Sequence, residues 1–473
     1  MFRKYYLLII LLGYTNLAFS QVRLPSVLRD NMVLQQNAKV KLWGKAKKSA
    51  TLKVITSWDG KSYLADIGNA GTWEVFVKTP KGGGPYTISF DDGEKIVLNN
   101  ILIGEVWLCS GQSNMEMPLK GFYDRRFGYQ PVLKSDSIIE NSSNNNLRIY
   151  KLKRKSSPQP LWDSEGDWKI ANSVDAPEFS AVAFQYGQML QEKLRVPVGI
   201  IVASWGGTPI QAWMGESMED FEKETEFSAG KKISSSSSVL FNGMIKPLTN
   251  YTIRGFIWYQ GENDRFKPES YKDKMLAMVK EWRSVWNLGK LPFYFVQIAP
   301  WKYNEKGKSF VPQLREAQLE ASQAIANAEM VVTLDIGSEV TIHPPDKTTV
   351  AKRLLGCALN GVYGKDVKFR GPEYIAMKVN GNKALLEFKY YSQLVLKNKE
   401  SENFEIAGPD KVFHKANVAI SASGLEVWSA DVNKPIAVRY GFKEYLVGDL
   451  FNSDGFPVSP FRTDKWPITS DLQ

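Results

Sequence analysis

Two stretches of the chain carry side chains suited to nucleophilic chemistry. In "LCSGQSNMEM", Leu108 to Met117, Ser113 follows an apolar run (Ile101–Ile103 and Val106–Leu108) and sits among small and amide residues. A serine hydroxyl is a poor nucleophile until a base takes its proton. The chain has only two histidines. His414 lies in "DKVFHKANVAI", where it decorates a strand or turn. His343 follows the apolar run Met330–Asp335, in "DIGSEVTIHPPDK", and is the expected base. Gly206 and Gly207 of "SWGGTPIQAW" offer backbone donors, and Gln260 and Asn263 of "WYQGENDR" offer amides. Hydroxyl, imidazole and N–H donors are the parts of serine acyl transfer.

These parts share a position: each follows an apolar run that reads as a buried strand. The runs are Leu102–Cys109, Val198–Ala203, Gly255–Tyr259, Phe293–Ile298 and Met330–Asp335. Helical patterns lie between several of them. "SAVAFQYGQMLQEKL" places Val182, Phe184, Met189 and Leu190 near one face, and "SYKDKMLAMVKEWRSVW" does so with Met275, Met278, Val279, Trp282 and Trp286. "PQLREAQLEASQAIAN" opens with Pro312 at a plausible first turn. Alternation of this kind predicts an α/β core with a parallel sheet covered on both faces, over residues 100–365. Ligands of such sheets sit beyond the carboxyl ends of the strands.

The flanks read differently. Residues 21–99 alternate apolar and polar side chains in short runs ("AKVKLWGKA", "GTWEVFVKTP"), which predicts a small antiparallel β domain, a sandwich. Residues 366–473 return to strand grammar ("ALLEFKYY", "LEVWSA", "PIAVRYGF") and read as a second β region packed on the core. Residues 1–20 have a basic start (Arg3, Lys4), an apolar stretch (Leu7–Leu12) and small residues at Ala18 and Ser20: a signal peptide pattern, which predicts export to the periplasm or the medium. No later stretch is apolar for long enough to predict a membrane helix.

Bulk composition excludes some classes. Hydrophobic residues are 43% and aromatics 12% of 473 residues, enough for a large core. The net charge of +10 comes from lysines spread along the chain rather than from a basic block, so nucleic acid is not an expected partner. Anionic glycans are a more natural use of that charge. No His/Cys cluster has metal-ligand spacing, and neither a metal nor another cofactor is expected. Cys109 and Cys357 either pair, as an exported chain permits, or remain two buried thiols.

The motifs "GEVWLCSGQSNMEMPL", "SWGGTPIQAW", "LFNGMIKPL", "GFIWYQGEND" and "IHPPDK" resemble those of the sialate O-acetylesterases and related carbohydrate acetylesterases of the SGNH hydrolase superfamily. "LPSVLRDNMVLQQ" and "SPFRTDKW" extend the likeness over almost the whole chain after the signal. The resemblance implies a flavodoxin-like SGNH core, Ser113 as nucleophile and His343 as base. It implies an oxyanion hole from Ser113, Gly207 and Asn263, with Gln112, Gln260 and Glu262 as substrate contacts. It implies an O-acetylated sugar as substrate, sialic acid first and acetylated xylan or another plant glycan second. Relatives often carry an acid two residues before the histidine, where this chain has Thr341. Asp335, Glu339 and Asp346 are the nearby acids that could orient the imidazole. The alternative of another class is an impaired scaffold that only binds glycans.

Overall fold

The computed structural model describes residues 22–46, 51–125, 128–221, 233–303, 310–398, 400–421 and 424–467; the signal pattern at residues 1–20 lies outside them. Val198–Ser204 and Gly255–Tyr259 are buried at every position, as strands covered on both faces must be. They flank Lys95–Gly111, a strand of 17 residues, and both run parallel to it. Across the core the order is Gly166–Ala171, Asn144–Leu152, Val198–Ser204, Lys95–Gly111, Gly255–Tyr259, Phe293–Val296, Ala328–Val331. All neighbours are parallel except the first pair. Apart from those two outer strands, the chain order is the flavodoxin-like 2-1-3-4-5.

Side chains of the central strand alternate between two cores. Trp107 and Cys109 join the helices Ala181–Leu194 and Lys347–Gly361 on one face. Val106 and Leu108 join Tyr271–Trp286 and Val311–Ala324 on the other. Of the helical faces read from the sequence, Met275, Met278, Val279, Trp282 and Trp286 are all in the core, as are Val182, Phe184 and Leu190, while Met189 is partly buried against it. Ser180 caps Ala181–Leu194 by accepting from the Ala183 N–H at 3.2 Å, and Pro312 sits in the first turn of Val311–Ala324. Cys109 and Cys357 are both free and buried, and burial pushes both thiols far above their ordinary range. No helix among the described residues is long and apolar enough to cross a membrane.

Two outer strands, Asn144–Leu152 and Gly166–Ala171, extend the sheet beyond the five runs read from the sequence. Gly166–Ala171 is the edge strand, and in Asn144–Leu152 only Leu147–Tyr150 and Leu152 are buried, so the exposed ends dilute the apolar run. The strand Lys95–Gly111 also belongs to the N-terminal sheet, pairing with Gly83–Asp91 and Val33–Gln35. Residue 99, where the β domain was expected to end, therefore falls inside a continuous strand. The antiparallel strands Lys39–Lys45 and Thr72–Lys78 form a second, two-stranded sheet packed in the same core. At the other end, buried Arg315 donates to the carbonyls of Lys443 (2.7 Å), Glu444 (2.8 Å) and Ile298 (3.2 Å), tying the C-terminal β strands to the core. A buried guanidinium is stable there only because carbonyl oxygens take its hydrogens.

Candidate active site

The central strand ends where the chain crosses from one side of the sheet to the other, at the topological switch point. Gly111, its last residue, has φ +135°, and a Cβ there would lie 2.2 Å from the Tyr259 carbonyl oxygen. Only glycine allows this approach. The Gln112 N–H donates to that same oxygen at 3.0 Å. The chain then turns into one helical turn, Ser113–Glu116, with Ser113 at its start.

His343 arrives from the loop after Ala328–Val331. Its Nε2 lies 2.9 Å from Ser113 Oγ. The imidazole is only 5% exposed and meets the Phe122 ring edge-on, with centroids 4.8 Å apart. Thr341, at the position where relatives often have an acid, holds the backbone: its Oγ1 accepts from the His343 N–H at 3.0 Å and donates to Gln130 Oε1. The hydrogen bonds of the three nearby acids lead elsewhere. Asp335 forms a bidentate pair with Arg353 (2.8 and 2.7 Å). Glu339 meets Lys302 at 3.0 Å on the surface. Asp346 caps the last helix, accepting from Thr349 N (2.9 Å) and Oγ1 (2.7 Å).

Of the two glycines, Gly206 is committed: its N–H donates to Glu116 Oε2 at 2.8 Å. Gly207 has φ +72° and nothing within 4 Å of an added Cβ, so it borders the open cleft. Asn263 lines the cleft as well, with its backbone N–H 3.4 Å from Gln112 Oε1. An oxyanion contact from Asn263 would therefore come from its side-chain amide.

Of the three expected substrate contacts, Gln112 and Glu262 line the cleft and Gln260 does not, and all three are bonded into the scaffold. Gln112 is 3% exposed, and its Oε1 accepts from the N–H groups of Gly261 (3.2 Å) and Asn263. Gln260 is fully buried; its Nε2 donates to the Thr208 carbonyl (3.0 Å) and to Asp264, and its Oε1 accepts from the Tyr271 hydroxyl (3.0 Å). Glu262 is 2% exposed and accepts from Asn114 Nδ2. These bonds form because tight turns after strands leave backbone and side-chain polar groups buried, and such groups need partners.

Sequence reasoning passed over Asn114, Glu116 and Lys347. Glu116 joins the nucleophile turn to the glycine loop and also pairs with Arg154 at 2.6 Å. Lys347 Nζ donates to Asn114 Oδ1 at 2.6 Å and is 1% exposed. A signal for Lys347 was available: it is the first residue of the helix Lys347–Gly361, where the helix dipole disfavours a cation.

The cleft over Ser113 has a volume of about 620 Å³, within the range of small-molecule sites. Tyr123, Phe266 and Trp301 give it aromatic walls, and its charged lining consists of Lys151, Arg154 and Arg265 beside Glu116, Asp124 and Glu262. Among the described residues no group of three or more His, Cys, Asp or Glu could hold a metal.

Residues 103–363 match the family model for carbohydrate esterases of the sialic acid-specific acetylesterase type. The sialate O-acetylesterase of Homo sapiens is 29% identical over 425 residues, covering 81% of this chain and 80% of that protein. That of Mus musculus is 26% identical over 515 residues, covering 93% and 94%. A carbohydrate acetylesterase from Xanthomonas citri, solved by crystallography, is 32% identical and superposes with a TM-score of 0.86, covering 94% of this chain and all of that one. The chain belongs to the sialic acid-specific acetylesterase family of carbohydrate esterases.

Proposed function

We propose that this protein removes O-acetyl groups from sialic acids through a serine acyl-enzyme. The observation that carries the mechanism is the 2.9 Å contact between Ser113 Oγ and His343 Nε2 at the rim of the sheet. For Nε2 to accept the hydroxyl proton, the neutral imidazole must carry its hydrogen on Nδ1. Ser113 Oγ then attacks the acetyl carbonyl carbon as Nε2 takes the proton. The resulting oxyanion is held by the N–H groups of Ser113 and Gly207 and by the Asn263 amide. Collapse breaks the bond to the sugar oxygen, which receives the proton from His343 and leaves as the free hydroxyl. Water, deprotonated by His343, attacks the acetyl-serine; acetate departs and the serine recovers its hydrogen.

The choice of sialic acid follows the named relatives and suits the cleft. Its carboxylate matches a wall bearing Lys151, Arg154 and Arg265, and its ring can lie on Tyr123, Phe266 or Trp301. The basic, then apolar, start of the chain supports export, to the periplasm or the medium. The experiment is release of acetate from O-acetylated sialic acid by the wild type and by Ser113→Ala. Loss of turnover in the variant is expected; a variant as active as the wild type ends the serine mechanism. Acetylated xylan, run in parallel, tests the substrate.

A further inference from the structure

Three segments of the site meet at one buried amide. Asn114 follows Ser113 and is 1% exposed. Its Nδ2 donates to Glu262 Oε1 and, at 3.1 Å, to the carbonyl of Ile342, the residue before His343. Its Oδ1 accepts from Lys347 Nζ at 2.6 Å. The Ile342 carbonyl fixes the orientation of the amide, because a backbone carbonyl can only accept. Both hydrogens of the amide are used. Its three partners come from the loop that carries Asn263, the loop that carries His343, and the helix that follows.

This arrangement is expensive to fold. Glu262 and Lys347 are 2% and 1% exposed. Burial pushes the Glu262 carboxyl up, and it pulls the Lys347 ammonium down to about 7. Hydrocarbon in place of such a pair is often neutral or stabilising. Lys347 also stands at the positive end of its own helix. Nothing in the filling of space asks for these charges. What they do supply is a single allowed position for the amide next to the nucleophile.

We propose that Asn114, clamped between Glu262 and Lys347, is a positioning residue for the reaction. It keeps the nucleophile turn, the His343 loop and the Asn263 loop in one register, so that Ser113 Oγ remains within hydrogen-bond reach of His343 Nε2. This rests on the serine–imidazole reading above. The clamp acts through other residues, so its loss falls on kcat rather than on KM. A displacement of about 1 Å at reacting atoms is enough for a loss of roughly 100-fold.

The test uses the full chain and three readouts: kcat and KM on an aryl acetate, the rate at which an aryl fluorophosphonate labels Ser113, and the thermal midpoint. Asn114→Asp keeps the size but removes the two hydrogens that meet Glu262 and Ile342. Its kcat should fall roughly 100-fold, with KM within about threefold, and labelling should slow in step while the protein stays folded. Glu262→Gln still accepts from the amide and should keep kcat within about fivefold, whereas Glu262→Ala should behave like Asn114→Asp. A folded Asn114→Asp with wild-type kcat and labelling overturns the proposal. If that variant does not fold, the two Glu262 variants decide, and equal kcat in both overturns it. Ser113→Ala separates the two levels. If it is inert while Asn114→Asp is fully active, only the positioning role fails; if it turns over normally, the reading beneath fails.

Discussion

The rim of the sheet and the C-terminal β region each hold one of the chain's two histidines, and the two rings live in opposite settings. His414 lies on the strand Phe413–Lys415 with a side chain 32% exposed, and its Nδ1 is 3.8 Å from the carboxylate of Asp431, itself 71% exposed. His343 is 5% exposed, packed against Phe122, with Nε2 on the serine hydroxyl. A carboxylate neighbour in water leaves a histidine an ordinary surface group. What distinguishes His343 is a hydroxyl within reach, a wall that excludes water, and a backbone pinned by Thr341.

The largest effect expected from this contrast is on turnover. His343→Ala should lower kcat by about 10⁴-fold or more. Acetate release from O-acetylated sialic acid checks it, and near-normal turnover would break the contrast. Next comes the oxyanion contact. Asn263→Ala should cost roughly 10²–10³ in kcat, with a small change in KM, because the oxyanion exists only in the transition state. A loss confined to KM would instead make Asn263 a substrate contact.

Buried charge sharpens the comparison in a second way. In the C-terminal region Arg439 and Asp464 meet directly, with two contacts of 2.9 Å. At the rim Lys347 and Glu262 are separated by the Asn114 amide. Burial pulls Lys347 down to about 7 from its ordinary 10.5. Between those values the unfolded chain binds more protons than the folded one, so this residue makes stability rise as pH rises through the window. Lys347→Met removes that slope. The thermal midpoint of the wild type, relative to Lys347→Met, should therefore climb between about pH 7 and pH 9.5. A constant gap would mean that Lys347 is not held in a charge-disfavouring site. The smallest effect belongs to the other histidine: His414→Ala should leave kcat within about twofold, as surface substitutions far from a site usually do.

The same two regions differ in how legible they were in the sequence. Val198–Ser204 and Gly255–Tyr259 are short apolar runs because both faces of a parallel sheet are covered, so they stand out in any reading. Ser113 and His343 followed from them, since rim chemistry has to come after strands. Asn144–Leu152, "NNNLRIYKL", did not stand out, because near the sheet edge it carries polar side chains. Gln112, Gln260 and Glu262 were read as facing a ligand; Gln112 and Glu262 line the cleft while bonding to Gly261 and Asn114, but Gln260 is off its wall and bonds to Thr208. A polar residue after a strand has two directions to point, and sequence position does not distinguish them. Asn114 was illegible for the same reason: its three partners lie 148, 228 and 233 positions away along the chain.

The central claim is that acetyl passes through the Ser113 oxygen. Its most direct test is to mix the protein with an isotope-labelled acetyl donor, quench within a turnover, and map the label by peptide mass spectrometry. One labelled acetyl group on Ser113, absent in Ser113→Ala and lost on further incubation, is the predicted result. Rapid acetate release with no acetyl on that serine at any quench time, or with the label on another side chain, would contradict it.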